Sequence, residues 1–336
     1  MRTEEQQALA DAVRKLLDSS RDPWPVLCEQ IGVAGLAIPE EYGGAGAGVA
    51  ELQVVAEEIG RALADVPFLG SAVLATAALL ESGDSAACAR LLPGMAEGAI
   101  TALAWAGETG WSLETPALTA ADEYTVDGTA HYVVDGDLAR TLLVVAGLGG
   151  EIGLFEVDPG QDAVRVTRSP AMDQTRGLAT AEFTGATARR IGGDFRTGLA
   201  RVRDTACLAL AAEQVGAAAR ALELTVEYTR QRQQFGRPIG GFQALKHRMA
   251  DLHVLVETAR SAAYAPVEED RSRLAAVAKT YCSEAFSAVA AEMIQLHGGI
   301  AITWEHDAHR FFKRAHSSAQ LFGQPHEYLA RVVPGR

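Results

Sequence analysis

The chain has 336 residues, 48% of them hydrophobic and 22% charged, enough for two ordinary domains or three smaller ones sharing a core. It carries 43 acidic against 30 basic residues, a formal net charge of −13, and that excess repels phosphate backbones and argues against nucleic-acid binding as its main task. Its four cysteines (Cys28, Cys88, Cys207 and Cys282) form no CxxC pair, so neither a zinc ribbon nor a redox dithiol is indicated. A reducing, cytoplasmic compartment is expected.

The first hundred residues read as helices. Met1–Ser20 mixes charged residues with Leu9, Val13, Leu16 and Leu17, the pattern of an amphipathic helix and not of a signal peptide. Pro23–Ile31 is a second, short helix. Gly32–Pro39 then runs into the glycine-rich loop Glu40–Gly46, where the chain reverses. Ala50–Ala64, Leu69–Ser82 and Ala86–Leu92 continue as helices.

From Ala99 to Gly193 the texture changes to short Val, Leu and Ile runs between glycine turns. Tyr124–Val126, Ala130–Val134, Thr141–Ala146, Ile152–Val157 and Ala163–Arg168 read as strands, with Asp127-Gly128 and Asp135-Gly136 as turn dipeptides. Beyond Phe195, residues 196–230, 239–265, 269–297 and 304–316 read as long helices. Ala206–Tyr228 is so rich in Ala and Leu that most of its circumference is expected to be buried, as in a bundle. The expected organisation is a helical domain over 1–98, a β domain over 99–193 and a helical bundle over 194–336. No apolar run reaches the roughly 20 residues of a membrane span.

Two segments carry chemistry. Arg232-Gln233-Gln234-Phe235-Gly236-Arg237-Pro238-Ile239 places a guanidinium and two amides beside an aromatic ring and a glycine, between two long helices. A guanidinium suits bidentate recognition of phosphate; an inter-helix turn is the plainer alternative. Gln295-Leu296-His297-Gly298-Gly299 ends a helix with two glycines, which allow a ligand to approach backbone N–H groups or simply cap the helix. His306 and His309, three apart, suggest one shared helix face. A metal needs further ligands than these, so a structural helix is the better reading. Arg310, Lys313 and Arg314 read as a solvated basic cluster.

Taken in order, these segments resemble the acyl-CoA dehydrogenase family over nearly the whole chain. Gly35–Gly44 resembles the family's N-terminal signature, Arg232–Gly236 its RxxFG element, and Gln295–Gly299 its QxxGG element. Thr303-Trp304-Glu305 with Arg310 continues the pattern. The resemblance implies a mostly α protein with a central β domain: an N-terminal helical domain, a β-barrel-like middle domain and a C-terminal four-helix bundle. It implies FAD, an acyl-CoA thioester that is α,β-desaturated, and an electron-transfer flavoprotein as electron acceptor. A protein carboxylate removes the α-proton while the cofactor takes the hydride. Arg232, Gln234, Phe235, Gln295, Gly298 and Gly299 are the cofactor contacts it implies, reaching FAD held mainly by a neighbouring chain.

The chain departs from the family where the base should stand. The two family positions for the glutamate fall on Phe322 and Ala206, and neither can take a proton. Asp204 lies two residues from the second position, which turns its side chain away along a helix. Glu213 reads as a helix-face or interface charge. The flavin-contacting loop of the β domain is only partly matched by Ala104–Ser112. On the later strand, Tyr132 keeps an aromatic, but Val134 stands where a threonine hydroxyl is usual. Losses on one side of the site with retention on the other resemble the short, base-lacking subunit of bacterial α2β2 enzymes acting on bulky, steroid-like acyl-CoAs. Its partner would be a longer homologue bearing the glutamate. A homomeric enzyme with a displaced base (Asp204 or Glu108) and a non-catalytic assembly subunit are the alternatives.

Overall fold

The computed structural model describes residues 2–121, 124–266 and 270–332. Met1 and Glu269, where two of the expected helices begin, lie outside them. The chain forms two compact units: Met1–Val55, Asp65–Ala171 and Arg176–Ala209 make the first; Ala56–Ala64, Met172–Thr175 and Leu210–Arg336 make the second.

The first unit opens with α1 (Glu4–Ser19) and α2 (Pro23–Ile31). Thr3 starts α1 with a capping box, its hydroxyl accepting from the Gln6 N–H while the Gln6 side chain accepts from the Thr3 N–H. Gly32 stops α2 in the left-handed conformation at φ 78°. Helix α3 (Val49–Ala62) follows and runs on into the second unit. The stretch expected as one helix over Leu69–Ser82 is π-helical over Phe68–Ala75, every residue buried, before it tightens into α4 (Thr76–Glu81). Helix α5 (Ser85–Ala96) is capped by Asp84, which accepts from the Ala87 N–H.

Seven strands follow: β1 (Thr101–Ala104), β2 (Leu118–Ala120), β3 (Thr125–Val134), β4 (Thr141–Leu148), β5 (Glu151–Val157), β6 (Val164–Arg168) and β7 (Leu178–Ile191). The pairings β4–β2, β2–β3, β3–β7, β7–β5 and β5–β4 return to their start, so the sheet closes on itself as a barrel. Its core contains Val126, Ala130, Val144, Phe155 and Phe183. The two strands expected over Tyr124–Val126 and Ala130–Val134 are one, β3. Asp127-Gly128 does not turn the chain; it lies inside β3 where the register against β7 shifts, with Gly128 at φ 122°. The Asp127 carboxylate accepts from the Gly185 N–H at 2.7 Å and holds the irregularity in place.

Helix α6 (Arg196–Gln231) leaves the barrel and continues into the second unit. There it is joined by the two-residue strands β8 (Gln233–Gln234) and β9 (Arg237–Pro238). Helices α7 (Gln243–Ala263), α8 (Arg271–His297), α9 (Ala308–Gln320) and the short α10 (Leu329–Val332) complete the chain. Leu222, Val256, Phe286, Val289, Met293 and Phe311 fill the core of this unit. The helix expected over 304–316 begins four residues later. His306 Nδ1 accepts from the Ala308 N–H at 3.1 Å, so the side chain terminates the turn before α9.

Against the expectation, one helical stretch, Arg271–Ile302, is long and apolar enough to cross a membrane by length and composition. Within this unit it is a core helix. Lys279 on it is fully buried, with Nζ donating to the carbonyls of Ser318 and Ala319 at 3.2 and 2.9 Å. The four cysteines are free thiols, and burial pushes Cys282 up to about 12.

Candidate functional site

The end of α6 builds a tight hairpin. Gln233 pairs with Pro238 and Gln234 with Arg237, leaving Phe235-Gly236 as the two-residue loop. Both loop residues have positive φ, 52° and 75°, the requirement of a type I′ turn. Glycine meets that requirement freely, whereas a phenylalanine there is strained. The Phe235 ring is nonetheless held out at the tip, 89% exposed, with its edge toward Phe242 at 6.1 Å. The Arg237 guanidinium covers Phe242 at 4.0 Å and steadies the base of the hairpin. Arg232 and Gln234 are exposed beside it. An exposed, strained aromatic next to an exposed guanidinium is costly for folding alone and points to binding.

The end of α8 builds the second segment. Gly298 adopts φ 66°, ψ −145°, a region open essentially to glycine. A Cβ at Gly298 or Gly299 meets no atom within 4 Å, so the backbone there is open to a ligand. Gln295 is exposed one turn earlier.

The structure brings these two segments together. Tyr228, four residues before Arg232, stacks on His297 with ring centroids 4.3 Å apart and an interplanar angle of 25°. The Tyr228 hydroxyl donates to the His297 carbonyl at 3.2 Å. The tips of α6 and α8 are thus pinned side by side. Guanidinium and amide donors, open backbone N–H groups and an aromatic platform are the donor set that a diphosphate linked to flat rings requires. The residues present fit the adenosine and pyrophosphate end of FAD.

In the first unit, Trp105, Trp111 and Tyr132 form an aromatic cluster. Trp111 lies 5.1 Å from Trp105, edge to face, and 6.4 Å from Tyr132. Tyr132 is 41% exposed at φ 54°, and its hydroxyl donates to the Glu108 carbonyl at 3.4 Å. Val134, by contrast, is buried.

The two positions matched to the family base are apolar and closed. Ala206 is fully buried on α6, and Phe322 is 1% exposed at φ 63°. Asp204 is buried and lies 3.4 Å from the Arg203 guanidinium. Glu108 is exposed.

Contrary to expectation, Arg314 does not belong to a solvated cluster; its partner is Glu213, expected as a helix-face or interface charge. Both are buried and paired at 3.1 Å. Arg314 also donates to the Thr175 carbonyl at 2.7 Å and lies 3.7 Å from Asp173, so one guanidinium ties α6 and α9 to the segment Met172–Thr175. Sequence reasoning missed this hub because its partners are 101 and 139 positions away. His306 and His309 do not share a helix face: His306 is in the turn and His309 is on α9, against Trp304 at 4.6 Å. Among the described residues no group of three His, Cys, Asp or Glu is placed to hold a metal ion.

Comparison with known proteins fits this architecture. The acyl-CoA dehydrogenase N-terminal domain matches residues 3–99 and the acyl-CoA dehydrogenase C-terminal domain matches residues 204–330. The chain belongs to the acyl-CoA dehydrogenase family, FAD-dependent oxidoreductases acting on CH–CH bonds. It is 44% identical over 332 residues to the acyl-CoA dehydrogenase IpdE2 of Mycolicibacterium smegmatis, covering 98% of this chain and 93% of that one. Among solved structures, the ChsE4-ChsE5 complex from Mycobacterium tuberculosis superposes with a TM-score of 0.90 at 30% identity, covering 99% of this chain and 97% of that one. The Tcur3481-Tcur3483 steroid acyl-CoA dehydrogenase G363A variant gives a TM-score of 0.87 at 30% identity, with 98% and 96% covered.

Proposed function

We propose that this chain is the base-lacking subunit of a heteromeric, FAD-dependent acyl-CoA dehydrogenase that α,β-desaturates a bulky, steroid-type acyl-CoA. The single observation that carries the reading is the asymmetry of the site. Both positions of the family glutamate are buried apolar residues, Ala206 and Phe322, while the hairpin and the double-glycine turn are formed and open. A chain with contacts for one end of the cofactor and no base at either family position completes a site whose base stands on another chain. The relatives include two-component assemblies, ChsE4-ChsE5 and the steroid enzyme Tcur3481-Tcur3483, and these support the heteromer and the substrate class.

In this reading Arg232, Gln234, Phe235, Gln295, Gly298 and Gly299 hold the adenosine and pyrophosphate end of FAD. Arg232 neutralises phosphate charge, the glycine backbone donates N–H groups, and the exposed Phe235 ring supplies a surface for a flat ring. FAD, when bound, accepts the hydride. The partner is a longer homologue that provides the carboxylate, and electrons leave through an electron-transfer flavoprotein. The exposed Phe235, Ile302 and Trp304 around the site (89, 76 and 74% exposed) are what a contacting subunit would cover. The assembly is an α2β2 heterotetramer in the cytoplasm.

The flavin content of the purified chain tests this reading. Alone, the chain is expected to release far less than one FAD per polypeptide on denaturation; co-expressed with a glutamate-bearing homologue, it should co-purify with near-stoichiometric flavin per heterodimer. One FAD per chain in the isolated protein overturns the half-site and redirects the search to a displaced base.

A further inference from the structure

Three rings meet where the two flavin-contacting segments begin. His297 touches both Tyr228, stacked at 4.3 Å, and His306, at 4.4 Å with a 51° tilt, and the outer two rings are 6.2 Å apart. His297 is 4% exposed, and its Nδ1 lies 2.8 Å from the Met293 carbonyl. A carbonyl only accepts, so Nδ1 carries the proton and Nε2 holds a lone pair. That Nε2 is buried without a hydrogen-bond partner. The neighbouring ring is fixed too: His306 Nδ1 accepts from the Ala308 N–H, so it is unprotonated. The cluster thus holds two neutral imidazoles against a phenol, and a positive charge on His297 has no acceptor for its second proton and lies 4.4 Å from another imidazole.

These rings occupy particular places in the chain. Tyr228 stands one helical turn before Arg232, His297 immediately precedes Gly298, and His306 ends the turn that follows. We infer that His297, as the neutral imidazole, is the positioning residue that locks the hairpin and the double-glycine turn into one unit, and that its protonation releases both together. Only the consequence for flavin rests on the proposed function; the lock itself is a property of this chain.

The groups facing His297 are consistent with this role. Tyr228 comes from α6, His306 from the turn before α9, and the Met293 carbonyl from its own helix. Burial holds the imidazole below its ordinary value of 6.5, and His306 pushes in the same direction, while the Met293 carbonyl partly opposes them. A group whose folded value is depressed contributes fully above the open-state value. The ratio of locked to released chain falls by about tenfold per pH unit as pH falls from 6.5 toward the folded value.

Hydrogen exchange of the full chain, without cofactor or partner, tests this. Between about pH 8 and about pH 5, exchange of the amides in Arg232–Arg237 and Gly298–Thr303, corrected for its intrinsic pH dependence, should accelerate in step by about tenfold per pH unit below 6.5. His297→Phe keeps a stacking ring but cannot titrate, and both segments should lose the pH dependence. Independent responses of the two segments, no response in the unsubstituted chain, or an unchanged response in the variant overturns the inference. Nitrogen chemical shifts of His297 in the unsubstituted chain decide the matter if the variant fails to fold. A neutral Nδ1–H tautomer persisting below 6.5 supports the lock, and ordinary titration overturns it. Failure of the flavin reading would leave the coupled exchange intact, so the two results are separable.

Discussion

At the scale of single residues, Arg314 is a buried hub of charge. Its guanidinium is 2% exposed and meets Glu213, Asp173 and the Thr175 carbonyl. Burial pushes the Asp173 carboxyl up, yet the Arg314 charge and the hydrogen bonds from Thr175 and Ser317 outweigh it and hold the group below its ordinary 3.8. Asp173 therefore stabilises the fold fully above 3.8, and that contribution is lost as pH falls through its lower folded value. Replacing Arg314 with Met leaves two buried carboxylates without this cation, a loss of about 3–5 kcal/mol. Urea denaturation near neutral pH should show that loss. The double variant Arg314→Met/Glu213→Gln should recover part of it, and the gap between Arg314→Met and the unsubstituted chain should narrow as pH falls below 3.8, because protonating Asp173 removes what Arg314 contributes. A loss below about 1 kcal/mol would show that the three charges are not acting as a buried unit.

At the scale of elements, what was legible was what is local. α2 fell on its observed ends because Pro23 and Gly32 mark them chemically, and Arg196–Gln231 was legible as a long Ala- and Leu-rich run. β7 was not legible. Its 14 residues alternate small or apolar Ala179, Ala181 and Phe183 with polar neighbours, and three other strands, β3, β5 and β6, hold it extended. Propensity gives such a segment little signal, because pairing and not composition decides it. The contact between α3 and α6 was invisible for the same reason. A Cβ on Gly60 would stand 1.9 Å from the Glu213 carbonyl oxygen, and one on Gly216 would stand 1.8 Å from that of Glu57. Two glycines let these backbones touch, and ion pairs flank the contact, Arg61 with Glu223 and Arg260 with Glu57. Gly60→Ala meets backbone that cannot swing aside, so it should destabilise the chain by about 3 kcal/mol despite alanine's better helix propensity. Chemical denaturation of that variant checks this, and a neutral or stabilising result would mean that the helices separate at little cost.

At the scale of the whole molecule, the family and the two turn-bearing segments were legible because each motif is a local device whose shape follows from its residues. Phe235-Gly236 is the loop of a hairpin, and Gly298 is a backbone conformation only glycine accepts. What joins them, the Tyr228–His297 stack, spans 69 positions and emerges only in the folded chain. This division separates binding from stability experimentally. Arg232 is exposed at the hairpin, so Arg232→Ala should leave the denaturation midpoint of the chain unchanged within about 0.5 kcal/mol. On the proposed function, the same substitution in the assembled complex should remove a charge-assisted phosphate contact worth about 1.5–3 kcal/mol and lower FAD retention by roughly 10- to 100-fold. Phe235→Asn should behave differently. It relieves a left-handed φ that phenylalanine tolerates poorly, so the chain should become more stable by about 1 kcal/mol, while loss of the exposed ring still weakens FAD retention. Measuring both quantities on both variants distinguishes a binding tip from a structural turn. If Phe235→Asn stabilises the chain and retains flavin as well as the parent does, the strain at the hairpin serves something other than the cofactor.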